Sequence, residues 1–199
     1  MLDVEFKDPS VLRSWKEHGF SKKSKYEIKM GEGGEHYLRA TSHGGSSAIF
    51  KELNISPSEH PVLSWEWKAV KFPSHKKNKI LADKPDNDYA ARVYVVFGKH
   101  NPFTSDMIQY IWDDYFPEGA HTQSPYSERV KILVVKKGHS DPEGRWTPEK
   151  RDLVKDYEML FSKPLQNNVR AVAIMSDSDN TRTESEAYFK RLSIQISRA

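Results

Sequence analysis

The stretch Val169-Arg170-Ala171-Val172-Ala173-Ile174-Met175 runs directly into Ser176-Asp177-Ser178-Asp179-Asn180-Thr181. An apolar run of this length, rich in β-branched residues, is typical of a buried β-strand. It ends in two carboxylates, an amide and several hydroxyl groups. The transition predicts an interior strand whose far end carries a polar loop.

Strand-like segments fill most of the rest of the chain, and turns rich in Gly, Pro and Ser separate them. Short strands at this spacing predict one mainly β domain over residues 1–199, an antiparallel sandwich. Trp65 and Trp67 share one strand face, and we expect both to point into the core. The other predicted strands are Tyr26–Met30, Glu35–Ala40, Ser47–Leu53, Val62–Ala69, Tyr89–Phe97, Met107–Trp112, Val130–Val135 and Ala187–Ile196.

Two helices are also predicted. Asp8 and Pro9 open a short N-terminal helix that Gly19 would end. Thr147 is a suitable N-cap for a longer helix over Pro148–Phe161, which would pack on the sheet. The apolar face of this longer helix comprises Leu153, Tyr157, Leu160 and Phe161.

Two longer segments are predicted to be loops. Lys71–Pro85 carries many lysines and few apolar groups, so we expect it to be exposed. Asp113–Ser127 is rich in Gly, Pro and aromatic residues and is expected to form a long ordered loop. Loops of this length in compact domains are often functional.

Composition excludes several classes of function. The chain has no cysteine, so disulfides, thiolate catalysis and cysteine-ligated metals are excluded. Its 31 basic and 28 acidic residues give a net charge of +3, too balanced to predict a nucleic-acid partner. No segment reaches the ~20 apolar residues of a transmembrane segment, and Met1–Glu5 does not read as a signal peptide. No phosphate-binding glycine loop precedes a helix, so no organic cofactor is expected.

The polar loop after Met175 offers a candidate metal site at Asp177, Asp179 and Asn180. Hard cations such as Ca²⁺ take six to eight oxygen ligands, and acidic residues at alternate positions supply them. The loop lacks the glycine and the closing glutamate of an EF-hand. The alternative is a turn in which Asp and Asn side chains bond to nearby backbone groups.

A second acidic group precedes the predicted strand that contains Arg92. Asp88 lies at the start of that strand, beside Asp86 and Asn87. If the strand neighbours Val169–Met175, the two acidic groups meet. An arginine in an apolar strand needs a partner, because a lone buried charge is costly. Arg92 is therefore expected to form a structural pair with an aspartate or, alternatively, to contact a ligand.

A third group is aromatic and comprises Tyr110, Trp112, Tyr126 and Trp146, with Asp113 close by. Aromatic faces can stack on sugar rings while carboxylates bind the hydroxyl groups. The predicted partner is therefore a glycan or a small polar ligand. The alternative is that these rings fill the core, as they do in most sandwiches.

Catalysis is the competing function. A pair of carboxylates held at the right separation could cleave a polysaccharide, by hydrolysis or by elimination. The candidate pairs combine Asp113 or Asp114 with Asp177 or Asp179. There is no GxSxG nucleophile elbow. A third possibility is a scaffold in an envelope assembly. The sequence predicts no oligomeric state.

Read end to end, the chain resembles the bacterial family known as domain of unknown function 3047. The resemblance spans roughly Trp15 to Ile194. The segments that carry it are Leu38-Arg39-Ala40, Ser46-Ser47-Ala48, Pro61-Val62-Leu63-Ser64-Trp65-Glu66-Trp67, Asp88-Tyr89-Ala90-Ala91-Arg92-Val93-Tyr94-Val95, Tyr110-Ile111-Trp112, Ser124-Pro125-Tyr126, residues 146–157 (WTPEKRDLVKDY) and residues 173–181 (AIMSDSDNT).

The resemblance implies a jelly-roll sandwich of the galactose-binding-like kind, similar to carbohydrate-binding modules, in an exported or periplasmic protein. It brings no established activity or catalytic residue. Ser176 stands where relatives are expected to have Thr, and Arg182 where they are expected to have Gly, which argues against a tight glycine turn there. The predicted function is a non-catalytic glycan- or small-ligand-binding module of the bacterial envelope; the alternative is a polysaccharide-active hydrolase or lyase.

Overall fold

Strands dominate the computed structural model, which describes residues 2–75, 79–98, 104–140 and 144–196. The strands in these ranges are β1 Leu2–Glu5, β2 Lys16–Gly19, β3 Lys25–Met30, β4 His36–His43, β5 Ser47–Ile55, β6 Val62–Lys71, β7 Ala91–Phe97, β8 Asp106–Asp113, β9 His121–Ser124, β10 Ser127–Lys137, β11 Thr147–Asp152, β12 Val169–Met175 and β13 Glu184–Gln195. The α-helix α1 spans Leu153–Phe161, and 3₁₀ helices span Pro9–Ser14, Pro57–Glu59 and Lys84–Asp86.

The strands form two sheets. Sheet A has the order β11-β6-β13-β4-β3, with β1 also paired to β13, and sheet B has the order β2-β5-β12-β7-β8-β10-β9. The predicted mainly β, antiparallel sandwich of jelly-roll type is confirmed, apart from one parallel pair, β8 with β10. The parallel pair arises because the chain forms β9 first and returns as β10 between β9 and β8.

The core lies between the sheets and is rich in large rings. Trp65 and Trp67 both point into it, as predicted. Their rings lie 5.4 Å from Tyr110 and 5.5 Å from Trp112 of the facing sheet, respectively. Large rings of this kind each bury a large apolar area. Because side chains alternate along a strand, Tyr110 and Trp112 of β8 point into the core and the residue between them points to the outer face of sheet B.

The apolar run Val169–Met175 forms β12 with the predicted bounds. This strand lies between β5 and β7 in the interior of sheet B, with Met175 opposite Arg92. Most other predicted strands are present with shifted ends. Four strands were not predicted, β1, β2, β9 and β11, and each is short.

The predicted helix over Pro148–Phe161 is wrong in its first part. Residues 147–152 form edge strand β11, paired with β6, and the helix begins only at Leu153. An edge strand tolerates Pro148, since an edge need not use every backbone N–H. The N-cap is Asp152 rather than Thr147, because the Asp152 carboxylate accepts the N–H groups of Val154 and Lys155, both at 3.1 Å.

The N-terminal helix is present but shorter than predicted. Asp8 caps it by accepting the N–H of Ser10 at 2.8 Å. The helix is of the 3₁₀ type and ends at Ser14, so Gly19 does not end it. Instead, Gly19 is the last residue of β2, which pairs with β5.

The predicted exposed loop over Lys71–Pro85 is partly wrong. Lys79 and Ala82 are buried, while residues 76–78 lie outside the described ranges. Residues 79–90, called the strap below, cover the outer face of sheet B. Ala82 and Tyr89 of the strap form an apolar cluster there with Ile111, Ile132 and Val134 of sheet B. The predicted loop over Asp113–Ser127 contains β9 and is therefore only partly a loop.

In these described ranges, no helix is both long enough and apolar enough to cross a membrane.

Candidate functional site

The candidate site lies where β7 begins and β12 ends. These strands are antiparallel neighbours, so the residues before Ala91 and after Met175 meet where the two strands end, on the same side of sheet B. The two acidic groups predicted from sequence therefore come together. One carboxylate oxygen from each of Asp88, Asp177 and Asp179 lies within 4.8 Å of the others. We call Asp88, Asp177, Asp179 and Asn180 the acidic rim.

Arg92 and Asp177 form a buried ion pair within this site. The Arg92 Nε donates to Asp177 Oδ1 at 2.8 Å, and its Nη2 donates to Oδ2. Asp177 also accepts the Tyr89 N–H at 3.1 Å, and Arg92 Nη1 donates to Gln109 at 3.0 Å. The guanidinium lies 4.5 Å from the centre of the Tyr89 ring. The predicted structural arginine–aspartate pair is confirmed.

Burial governs the protonation of this pair. Burial raises the pKa of Asp177 to about 7, while the charge of Arg92 opposes that rise. Burial alone would lower the pKa of Arg92, but the Asp177 carboxylate more than offsets it, so that pKa is raised. Arg92 therefore stays charged at all relevant pH values.

Asp88 holds the loop that follows Asp179. Its carboxylate accepts the N–H of Asn180 at 3.2 Å, the N–H of Thr181 at 2.6 Å and the Thr181 hydroxyl at 2.7 Å. The loop continues through Arg182, which adopts a left-handed backbone with φ of 58°. The turn that a glycine would favour is thus retained with arginine in its place. The hydrogen-bonded turn that was one reading of this loop is present.

The same carboxylates could hold a metal ion, but the hydrogen bonds that they already accept leave few free oxygens for the ion. Both oxygens of Asp177 are taken by Arg92, and both oxygens of Asp88 by the turn. Within the described ranges, no hydrogen bond or ion pair reaches the Asp179 carboxylate. A cation that needs six or more oxygens would therefore compete with existing donors at two of its three carboxylates.

Tyr126 joins the aromatic group to the acidic rim. Its ring is 58% exposed, and its hydroxyl accepts the Asn180 side-chain amide at 2.6 Å. Lys84 of the strap lies over the same ring, 5.7 Å from its centre. An exposed aromatic face thus stands beside a carboxylate, an amide and an ammonium group.

An apolar patch continues from the acidic rim across the outer face of sheet B. Tyr94 connects the two, since its hydroxyl lies 3.3 Å from Arg92 Nη1 and 3.2 Å from the Met175 sulfur. Ala173 and Phe50 extend this patch on the neighbouring strands. Tyr94, Ala173 and Met175 are themselves buried, so this patch supports the acidic rim from beneath.

Several predicted ligand residues lie elsewhere. Tyr110 and Trp112 are buried in the core, so neither can stack on a ligand from solvent. Asp113 is buried and bonded to Lys79 at 2.6 Å. Asp113 and Asp177 are each bonded to a buried cation, Lys79 and Arg92 respectively, and the carboxylate pair of the hydrolase alternative stays a prediction.

Trp146 lies on the opposite side of the molecule. Its ring packs beside Tyr37 on sheet A, at 5.8 Å, and beneath the Lys68 ammonium group at 4.7 Å. It therefore does not share a site with Tyr126. Conversely, Lys84 and Tyr94 belong to the site and were not predicted; Lys84 is one of many lysines in its segment, and Tyr94 lies within an apolar strand, so neither carried a signal.

Comparisons with known proteins agree with the fold. The sequence profile described as "Protein of unknown function (DUF3047)" matches residues 13–193. No curated protein matches the chain by sequence. The fold is similar to that of a carbohydrate esterase from the Shiga toxin-encoding bacteriophage phi24B, at 10% identity and a TM-score of 0.51, covering 98% of this chain and 97% of that one.

Two further solved structures are similar at lower scores. One is a family 11 carbohydrate-binding module of a cellulosomal cellulase from Clostridium thermocellum, at 10% identity and a TM-score of 0.49, covering 100% of this chain and 96% of that one. The other is the xyloglucanase domain of NopAA from Sinorhizobium fredii, at 8% identity and a TM-score of 0.48, with coverages of 93% and 95%. At such identities the likeness concerns the fold alone.

Proposed function

The chain belongs to the DUF3047 family of proteins of unknown function, and we propose that it serves as a glycan-binding module of the bacterial envelope. The observation that carries the proposal is the exposed Tyr126 ring beside the acidic rim. A sugar ring has apolar C–H faces and a periphery of hydroxyl groups. It needs a flat aromatic surface and fixed polar groups next to it, and Tyr126 with Asp179 and Asn180 provides both.

The groups that surround Tyr126 are held in place before a ligand arrives. Asp88 fixes the loop that carries Asn180, and Arg92 fixes Asp177 at its base. Since none of the described residues bonds to the Asp179 carboxylate, both of its oxygens are available to sugar hydroxyls. Preorganisation of this kind lowers the entropy cost of binding.

The first prediction concerns Tyr126. Replacing it with alanine is expected to weaken binding of a glycan at least about tenfold, which corresponds to ~1.4 kcal/mol. Tyr115→Ala is the matched control, because Tyr115 is 54% exposed but contacts Phe116 rather than the acidic rim. A glycan array would identify the ligand, and isothermal titration calorimetry would compare the two variants.

Equal affinities for the two variants would contradict the assignment of Tyr126 as the stacking residue. Failure of the wild-type protein to bind any arrayed or titrated sugar at millimolar concentration would contradict the binding function itself. An exported or periplasmic location is part of the proposal and rests on the family resemblance. Fractionation of cells that express the native gene would test it.

The second prediction concerns calcium, which we propose binds this cluster only weakly. Arg92 already occupies both oxygens of Asp177, so an ion would have to displace a guanidinium. The rise in Tm between EDTA and about 10 mM calcium is expected to stay below about 5 °C, the shift for a Kd of about 1 mM. A larger rise, lost in Asp179→Asn, would identify a genuine calcium site.

A further inference from the structure

A cleft separate from the acidic rim lies at the open edge of the sandwich, between β11 of sheet A and β10 of sheet B. Its volume is about 340 Å³. That volume falls within the range of small-ligand sites, ~300–1,000 Å³. Its walls carry Glu149 and Arg151 on one side and Glu118 on the other, with Leu133 and Met159 as apolar contacts.

The polar wall follows from the register of β11. Glu149 pairs with Trp65, and Arg151 pairs with Leu63, so both side chains share the inward face of sheet A with residues of the core. A sandwich ordinarily places apolar side chains at such positions. Strand β11 thus directs a carboxylate and a guanidinium inward, and packing of the core does not explain charged side chains at these positions.

The Arg151 guanidinium is fixed by another side chain, whereas the part of the chain that the structure describes offers the Glu149 carboxylate no partner. Arg151 donates two hydrogen bonds to Asp156, at 2.8 and 2.6 Å, and Asp156 also accepts the Tyr110 hydroxyl at 2.8 Å. Glu149 makes no hydrogen bond or ion pair with any residue in the described ranges. Its carboxyl group is therefore held on a strand and partly shielded from water.

The two carboxyl groups of the cleft have opposite environments. Burial raises the pKa of Glu149 to about 7 against the opposing charges of Arg151 and Lys136, and Glu118 adds to the rise. Glu118 is bonded to Lys136 at 3.0 Å, and this hydrogen bond lowers its pKa. His121 also lines the cleft but bonds to the Gly119 carbonyl. One carboxyl group thus keeps its proton near neutral pH while the other stays ionised.

We propose that this cleft hydrolyses a glycosidic bond, with Glu149 as the general acid and Glu118 as the general base. Two carboxyl groups on opposite walls are the arrangement that glycoside hydrolysis uses. The Glu149 carboxyl gives its proton to the glycosidic oxygen as the bond between that oxygen and the anomeric carbon breaks. A water molecule adds its oxygen to the anomeric carbon and gives its proton to Glu118, and solvent returns the proton to Glu149.

The remaining groups of the cleft would position the substrate. The half-exposed side chain of Met159 suits the C–H face of a pyranose, and Arg151 can donate to sugar hydroxyls the N–H groups that Asp156 does not occupy. The activity does not depend on the glycan-binding function proposed for Tyr126. Either proposal can fail without the other, because their tests use different residues and different readouts.

The experiment measures hydrolysis of a panel of 4-nitrophenyl glycosides from about pH 4 to about pH 8. Glu149→Gln is expected to lower kcat by about 10²–10⁴-fold, the usual contribution of a general acid. With 2,4-dinitrophenyl glycosides, whose leaving group needs no proton, the loss should be much smaller. Glu128→Gln on the exposed side of β10 is the matched control and should keep full activity.

The pH profile supplies a readout that a structural role would not give. Wild-type kcat/KM should fall as pH rises through about 7, where Glu149 loses its proton, and Glu149→Gln should lack this limb. Absence of turnover for every glycoside of the panel overturns the proposal. Equal activities of Glu149→Gln and Glu128→Gln overturn it as well, as does a Glu149 carboxyl titration by ¹³C NMR with an ordinary midpoint.

Discussion

Replacing Arg92 with leucine is expected to lower the free energy of unfolding by about 3–5 kcal/mol. The substitution leaves Asp177 buried without its counter-charge and removes the donor to Gln109. Breaking a buried pair from one side is costly because the remaining charge has lost both water and its partner. Urea unfolding followed by tryptophan fluorescence would measure the change.

A second variant separates the buried charge from lost packing. Arg92→Leu combined with Asp177→Asn removes both charges and keeps an acceptor for the Tyr89 N–H. The double variant is expected to be more stable than Arg92→Leu alone. If the two have the same stability at neutral pH, the uncompensated charge is not the cause of the loss.

The effect should also depend on pH, with a definite sign. A carboxyl group whose pKa is higher in the folded than in the unfolded state binds more protons when folded, so stability rises as pH falls. Asp177 already has a folded pKa of about 7 against about 3.9 in the unfolded chain. Without Arg92 this pKa rises further, so the deficit of Arg92→Leu should be smaller near about pH 5 than near about pH 8.

The second large effect is expected at Lys79, which is bonded to Asp113 at 2.6 Å. The two side chains are 3% and 0% exposed. Replacing Lys79 with methionine preserves most of its volume but leaves Asp113 uncompensated, and a loss of about 3–5 kcal/mol is expected. Because Lys79 begins the strap, the variant should also expose residues 79–90 to proteolysis.

Lys84→Met is the matched control for this prediction, since Lys84 lies on the same strap with its side chain exposed. Its stability should remain within about 0.5 kcal/mol of the wild type. Similar losses for both variants would show that the strap responds to lysine removal in general. Limited proteolysis with mass spectrometry would locate the cleavage sites.

Local patterns in the sequence predicted the interior strands well. The alternation at Trp65 and Trp67 identified an inward face, and the β-branched run identified β12 with its bounds. Both signals arise within a few consecutive residues, where side-chain alternation is fixed by strand geometry. The contact between Asp88 and the loop after Met175 could be predicted on the condition that β7 and β12 are neighbours.

Contacts between residues that are distant in the sequence could not be predicted from local patterns. Lys79 looks like any solvated lysine, because its partner Asp113 is 34 residues away. Tyr126 meets Asn180 across 54 residues. Pro148 favoured a helix start, since Thr147-Pro148 has helix-capping chemistry, yet pairing with β6 made this segment an edge strand. Tertiary pairing overrode a local preference there.

The position of β13 has a consequence for biosynthesis. This strand pairs with β1, β4 and β6, and residue 195 ends it. Before that residue leaves the ribosome, β4 and β6 have no common neighbour, and sheet A remains divided. Contacts between such distant segments form late and slowly. The nascent chain therefore emerges with unpaired strand edges, which favour aggregation, and sheet A can close only after β13 has been translated.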